Sequence, residues 1–394
     1  MILIETLLCL LALVMLVLVS VFFVEVLMAL PVYRPRAMPD GRRPNIAVVI
    51  PAHNETLVIA ATLRAITPHL IAGDRMVVVA DNCTDDTATL AAAGGAEVLE
   101  RSDRERRGKG YALDFGVRHI ERNPPEVVLI IDADCAVESG AIERVVRLCL
   151  ATGRPVQALY LMHSPDGAGL KTRIAEFAWL VKNHVRALGR HRLGLPCQLT
   201  GTGMAFPWST LSTAALASGH IVEDLKLGVD LARAGAPTLF CPEACVASHF
   251  PATAEGIASQ RTRWEHGHLD VILHAAPRLF LEALRRRDHN LLGLALDLCV
   301  PPLALLMLLT LTVFVGSAVF YWSTKLAFPL WLSAMSLLML GLSVLLAWGS
   351  YGRQVISLAS LASAPFYALW KLPLYVRFMV KRQAEWIRSR RDSD

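Results

Sequence analysis

Two carboxylates one residue apart close the segment Val-Val-Leu-Ile-Ile-Asp-Ala-Asp that runs from Val127 to Asp134. The apolar run before them reads as a strand buried on both faces, with Asp132 and Asp134 at its carboxyl end. In extended chain residues i and i+2 point to one side, so both acids face one spot. Like charges so placed repel unless one is protonated or a cation lies between them. Paired oxygen donors suit the hard cations Mg²⁺ or Mn²⁺, which commonly bridge to phosphates. Lys109, flanked by Gly108 and Gly110 at a helix start, could serve the same phosphates. Glu223-Asp224 opens another helix pattern that ends near Gly235; by itself this is as consistent with an ordinary acidic helix start as with acid–base work. The D-x-D triplet alone is likewise compatible with a solvated turn.

Alternating elements position these residues. Strand patterns over Ile46–Ile50, Met76–Ala80, Ala96–Leu99 and Val127–Ile131 alternate with helix patterns over Glu55–His69, Asp85–Ala93 and Gly108–Arg122. The alternation predicts an α/β domain with a mostly parallel sheet covered by helices. Ligands of such sheets bind beyond the carboxyl ends of the strands. Polar residues cluster there: Ala52-His53-Asn54-Glu55 after the first strand, Asp81-Asn82 after the second, Asp132–Asp134 after the fourth.

The 394-residue chain is 54% hydrophobic, with a mean hydropathy of +0.45, which is too apolar for an ordinary soluble enzyme. Leu7–Val24 is an apolar run close to the ~20 residues a bilayer core requires. It lacks the basic start and small-residue cleavage pattern of a secretory signal, so it reads as a retained anchor. Pro302–Trp322 and Leu326–Trp348 read as a helical hairpin. Val355–Val380 contains Pro365, Lys371, Pro373 and Arg377 and reads as re-entrant or surface-lying. The expected organisation is an anchor over 1–31, a catalytic domain over 44–271, an interfacial amphipathic helix over 272–290, a membrane hairpin over 291–348, and an interfacial segment with a basic tail over 349–394. Basic residues at Arg34–Arg43, Arg285–Arg287 and Lys381–Arg391 all fit the cytoplasmic side, with the N-terminus outside. The net charge of +5 is then mostly a membrane-flank signature. No basic stripe interleaved with aromatics points to nucleic acid, and none is expected as a partner. The eight cysteines do not form a disulfide framework, and Cys241, Cys245 and His249 lack the second cysteine pair of a zinc site.

The chain has no dinucleotide G-x-G-x-x-G after the first strand, no P-loop and no G-x-S-x-G nucleophile elbow. It does carry, in order, VVIPAHNE, VVADNCTDDT, RGKGYAL, LIIDADC, TGTGMAFP, VEDLKLGVDLARAG and QRTRW. With these motifs the chain resembles the family 2 glycosyltransferases. Within them it is similar to the membrane-integrated branch of cellulose, chitin, hyaluronan and chitooligosaccharide synthases and ceramide glucosyltransferase. The resemblance covers roughly Ile46 to Trp264 and implies a GT-A fold, a nucleotide-sugar donor (UDP-linked is the expectation) and Mg²⁺ or Mn²⁺. By motif position Pro51, Ala52, Asn54 and Glu55 would frame the nucleoside. Asp81 would contact the base or ribose, and Lys109 would lie near the nucleotide. Asp132 and Asp134 would be the metal motif, with Asp134 the direct ligand. Asp224, beside Glu223, matches the general base of an inverting transfer. Gln260, Arg261, Arg263 and Trp264 match Q-x-x-R-W, in which arginine forks suit a diphosphate and the indole a sugar face. Thr200–Gly203 and Phe206 would border the acceptor. Val222 stands where many relatives have threonine, which leaves the acid intact.

The expected activity is inverting transfer onto a cell-envelope or extracellular polysaccharide or oligosaccharide from the cytoplasmic face of a bacterial inner membrane. The alternative acceptor is a ceramide-like or polyprenyl lipid. Q-x-x-R-W occurs in both branches. Membrane lipids are expected neighbours, and export or oligomeric partners are left open. A non-catalytic scaffold would have lost the acids or the arginines, and this chain keeps them.

Overall fold

The computed structural model describes residues 2–251 and 253–380. The expected basic tail Lys381–Arg391 lies outside the described residues. The chain divides into two compact units, one of residues 33–165 and 195–267, the other of 2–32, 166–194 and 268–380.

In the first unit eight strands make one sheet among the described residues: β1 (Ile46–Ala52), β2 (Arg75–Asp81), β3 (Glu97–Arg101), β4 (Val127–Ile130), β5 (Ala136–Val137), β6 (Val156–His163), β7 (Met204–Pro207) and β8 (Leu239–His249). Their spatial order is β3-β2-β1-β4-β7-β6-β8-β5. β1, β2, β3 and β4 pair in parallel, as the strand–helix alternation predicts. β7 then runs antiparallel to both β4 and β6, which makes the sheet mixed. Strands β1, β2 and β4 are buried on both faces, which explains their unbroken Val and Ile runs. The helix Lys109–Ile120 covers β1 and β2 through Leu113, Val117 and Ile120. Phe206 is fully buried in the same core, paired across from Val128, so it does not border an acceptor.

The helix expected from Glu55 begins only at Ile59. Glu55–Val58 form a turn instead, closed by Val58 N–H donating to the Glu55 carbonyl at 3.1 Å. The Glu55 N–H itself goes to Thr87 Oγ1 at 2.8 Å.

Among the described residues the second unit holds three helices long and apolar enough to cross a membrane: Ile2–Ala29, Leu303–Thr324 and Phe328–Gly352. Residues 358–380 are broken into Leu358–Leu361, Ala364–Trp370 and Leu372–Val380, each shorter than a span. The excursion 166–194 belongs to this unit, which no pattern in the sequence marks. Its Arg186 and Arg190 are buried between Glu25 and Asp297. Arg186 donates to Glu25 Oε2 and to Asp297 Oδ1, both at 2.6 Å, and Arg190 donates to Glu25 Oε1 at 3.1 Å. Gly189 makes the approach possible, since a Cβ there would lie 1.8 Å from the Glu25 carbonyl oxygen. Two cations and two anions balance, and removing one strands the others in an apolar surround. Arg186→Met should therefore destabilise this unit by roughly 3–5 kcal/mol, read as a lowered melting temperature of the full chain in detergent.

Candidate active site

β4 ends at Ile130, and the acids lie in a turn rather than in extended chain. Cys135 N–H closes that turn on the Asp132 carbonyl at 3.2 Å, and Thr62 Oγ1 donates to the Ala133 carbonyl at 2.8 Å. The two-residue alternation nevertheless persists. Ile131, Ala133 and Cys135 are buried while Asp132 and Asp134 are half-buried, so both carboxylates remain on the more open side.

Across from them the loop Thr200–Gly203 precedes β7. Asp132 N–H donates to Thr202 Oγ1 at 3.0 Å, and Lys109 Nζ donates to the Gly201 carbonyl at 2.8 Å. Lys109 also pairs with Asp132 and lies 4.0 Å from Glu223. Gly201 has a φ of +93°, and a Cβ there would lie 3.5 Å from Asp224 Oδ2, 3.5 Å from Lys109 Nζ and 3.9 Å from Asp132 Oδ2. One backbone position is thus ringed by the strand-end acid, the helix-start lysine and the acid of Glu223-Asp224. Gly203 packs against Ala158 and Val246 under the same loop.

Electrostatics draws in the rest. Burial opposes the charge on Lys109, but Asp132, Glu223 and Asp224 outweigh it and hold its pKa above the usual lysine value. Burial raises the Asp132 carboxyl; Lys109 pulls it down, and Asp134 and Asp224 push it up again. Burial also pushes Glu223 up to about 7, against the pull of Lys109 and with the push of Asp224. Arg263, on the helix Ala254–His274, is lowered by burial and held up by Glu223, Asp132, Asp134 and Asp224. Four carboxylates therefore share one field with Lys109 and Arg263. The same helix carries Gln260, which is buried, and Arg261 and Trp264, which are half-buried.

The other expected residues form a second cluster at the ends of β1 and β2. Pro51 and Ala52 close β1. Asn54, at a φ of +55°, exchanges bonds with Thr84 at 2.8 and 3.1 Å. Asp81 accepts from Arg101 at 2.6 Å and from Asn82 Nδ2 at 3.0 Å. Arg101 lies 5.6 Å from the Tyr111 ring centre and is a partner that no motif announced. Tyr160 and Gln157, both buried on β6, belong to none of the sequence motifs. Tyr160 shares a 2.8 Å hydrogen bond with Ser248, and its pKa is raised by burial and by the nearby Cys135, Asp134 and Asp132.

The family model described as glycosyltransferase like family 2 matches residues 44–267, more than half of the chain. An uncharacterized glycosyltransferase of Mycobacterium tuberculosis is 32% identical over 200 residues, which is 46% of this chain and 85% of that protein. The chain belongs to glycosyltransferase-like family 2. A probable glycosyltransferase of Bacillus subtilis is 26% identical over 248 residues, 60% of this chain and 58% of that one. A mannosyltransferase of Pyrobaculum calidifontis, solved with GDP-Man and Mn²⁺, superposes with a TM-score of 0.57 at 17% identity, covering 93% of this chain and 99% of that one. That likeness shows the fold, and with the family match it identifies the sheet and its helices as GT-A. Among the described residues this family member also carries three helices apolar enough to span a membrane.

Proposed function

We propose that this glycosyltransferase inverts the anomeric centre of a UDP-linked sugar as it passes the sugar to a growing cell-envelope or extracellular saccharide. The observation that carries the reading is the convergence of Lys109, Asp132 and Asp224 around Gly201. A basic side and an acidic side meet there, as a leaving diphosphate and an attacking hydroxyl require.

Lys109 and Arg263 would hold the diphosphate, the first as a point charge and the second as a fork. Asp224 would take the proton from the acceptor hydroxyl as that oxygen attacks the anomeric carbon, with Glu223 beside it. Asp81 and the Asn54–Glu55 turn would meet the nucleoside, and Gln260, Arg261 and Trp264 would close over the transferred sugar. Asp132 and Asp134 offer an all-oxygen pair on the open side of the turn, which fits Mg²⁺ or Mn²⁺ better than a softer metal. Among the described residues no group of three or more His, Cys, Asp or Glu is placed to hold a metal, so the pair suits an ion shared with a substrate's phosphates rather than a protein cage. When bound, the ion supplies positive charge for the departing diphosphate.

Nucleotide sugars are cytoplasmic, so the catalytic unit would face that side of a bacterial inner membrane. One span before it puts the N-terminus outside, and two after it return the chain inside. The short helices of 358–380 favour three crossings, and three spans make a narrow export path. That observation keeps the second reading, in which one sugar goes to a lipid acceptor. The test is the full chain in detergent or vesicles, given a panel of radiolabelled nucleotide sugars. Label from a UDP-sugar in a product that stays in water and grows in size is the expected result. Label that partitions into organic solvent as a single species would move the acceptor to the lipid. No transfer from any UDP-sugar would overturn the donor.

A further inference from the structure

Gln157 lies on β6, is 1% exposed, and belongs to none of the motifs above. Its amide Nε2 donates to the Thr202 carbonyl and to the Ala158 carbonyl, each at 2.8 Å, and its Oε1 accepts from Thr200 N–H at 2.9 Å. These partners fix the amide's orientation, because a backbone N–H only donates and a carbonyl only accepts. Ala158 N–H adds a bond to the Gly203 carbonyl at 2.9 Å. The loop Thr200–Gly203 is therefore pinned to β6 at three of its four residues. Its outer side makes the two contacts that matter most to the acids: the Gly201 carbonyl takes Lys109 Nζ, and Thr202 Oγ1 takes Asp132 N–H. Thr202 is fully buried, and its hydroxyl in turn donates to Cys135 Sγ at 3.4 Å, just beyond Asp134.

We propose that Gln157 is a positioning residue of the donor site, acting through the Thr200–Gly203 loop to set Lys109 against Asp132 and hold both for a nucleoside diphosphate and its divalent ion. It touches neither directly. The inference rests on the reading of Lys109 and Asp132 as the diphosphate side of the site. A buried amide with two of its three bonds aimed at one loop does more than fill space. An apolar residue of the same size leaves Thr200 N–H and Thr202 C=O without their partner, and a loop built around a φ of +93° at Gly201 has other conformations open to it.

The test is binding of UDP with Mn²⁺ to the full chain in detergent by calorimetry, with apparent constants for donor and acceptor measured beside it. Gln157→Met removes the amide and keeps the volume. Thr202→Val removes the hydroxyl that takes Asp132 N–H, and Thr202→Ser keeps it. Gln157→Met and Thr202→Val should each weaken UDP–Mn²⁺ binding about tenfold or more, in line with the loss of buried hydrogen bonds. They should raise the apparent donor constant by more than the acceptor constant, and the double variant should lose less than the product of the two. Thr202→Ser should bind as the parent does. The Thr202 pair reports even where Gln157→Met fails to fold. Unchanged UDP–Mn²⁺ binding in Gln157→Met, or equal losses in Thr202→Val and Thr202→Ser, would overturn the positioning role while leaving the donor site in place. A parent chain that binds no nucleoside diphosphate would overturn the donor site and this inference together.

Discussion

Replacing Asp224 by asparagine should lower turnover by roughly 10²–10⁴, the usual contribution of a general base, with little change in donor binding. The substitution keeps the side chain's volume and removes its basicity. Donor binding should hold because Lys109 owes its raised pKa to Asp132 and Glu223 ahead of Asp224, so its charge survives the exchange. Glu223 is the competing base. It is the adjacent residue, it lies 4.0 Å from Lys109, and burial pushes its carboxyl up to about 7. Glu223→Gln separates the two. If Asp224 is the base, Glu223→Gln should act through the field around Lys109 and change the donor constant more than turnover. Single-turnover rates for the pair of variants decide, and a normal rate in Asp224→Asn with a collapsed rate in Glu223→Gln would transfer the role.

The parts of this site legible in the sequence are those that local pattern encodes. The Val127–Ile131 run located β4 to within one residue, and the i, i+2 spacing placed Asp132 and Asp134 on one side although the backbone there turns. The spacing survived because Ile131, Ala133 and Cys135 are all drawn into the core, and burial imposes the same alternation on a turn that it imposes on a strand. Tertiary placement was not legible. β7 is four residues long and sits antiparallel between β4 and β6, and so short a strand carries no periodicity. Gln157 was hidden for a related reason: a polar residue within an apolar run signals a partner, but the partner, Thr200–Gly203, lies more than forty residues on. Arg186 and Arg190, which balance Glu25 and Asp297, come from an excursion with no pattern of its own. Phe206 was misplaced because motif order carries no information on which way a strand residue points; in β7 it points into the core.

Chelation should abolish transfer, and Mg²⁺ or Mn²⁺ should restore it. Asp132, Asp134, Glu223 and Asp224 act on Arg263 together, and three of them act on Lys109. Lys109 is already committed to Asp132 and the Gly201 carbonyl, so an added ion would share Asp132 with it and draw on Asp134 as the second oxygen donor. Asp134→Asn should then remove transfer, since the ion's charge no longer offsets the leaving diphosphate. Ligand linkage adds a further discriminator: an ion and UDP that bind only the folded state stabilise it by about 2.7 kcal/mol at a hundred times their dissociation constant. The parent should show that thermal shift with Mn²⁺ and UDP together, and Asp134→Asn should show little of it. Full transfer in excess chelator, or an undiminished shift in Asp134→Asn, would leave Asp132 and Asp134 as acids in a turn and place the neutralisation of the diphosphate on Lys109 and Arg263 alone.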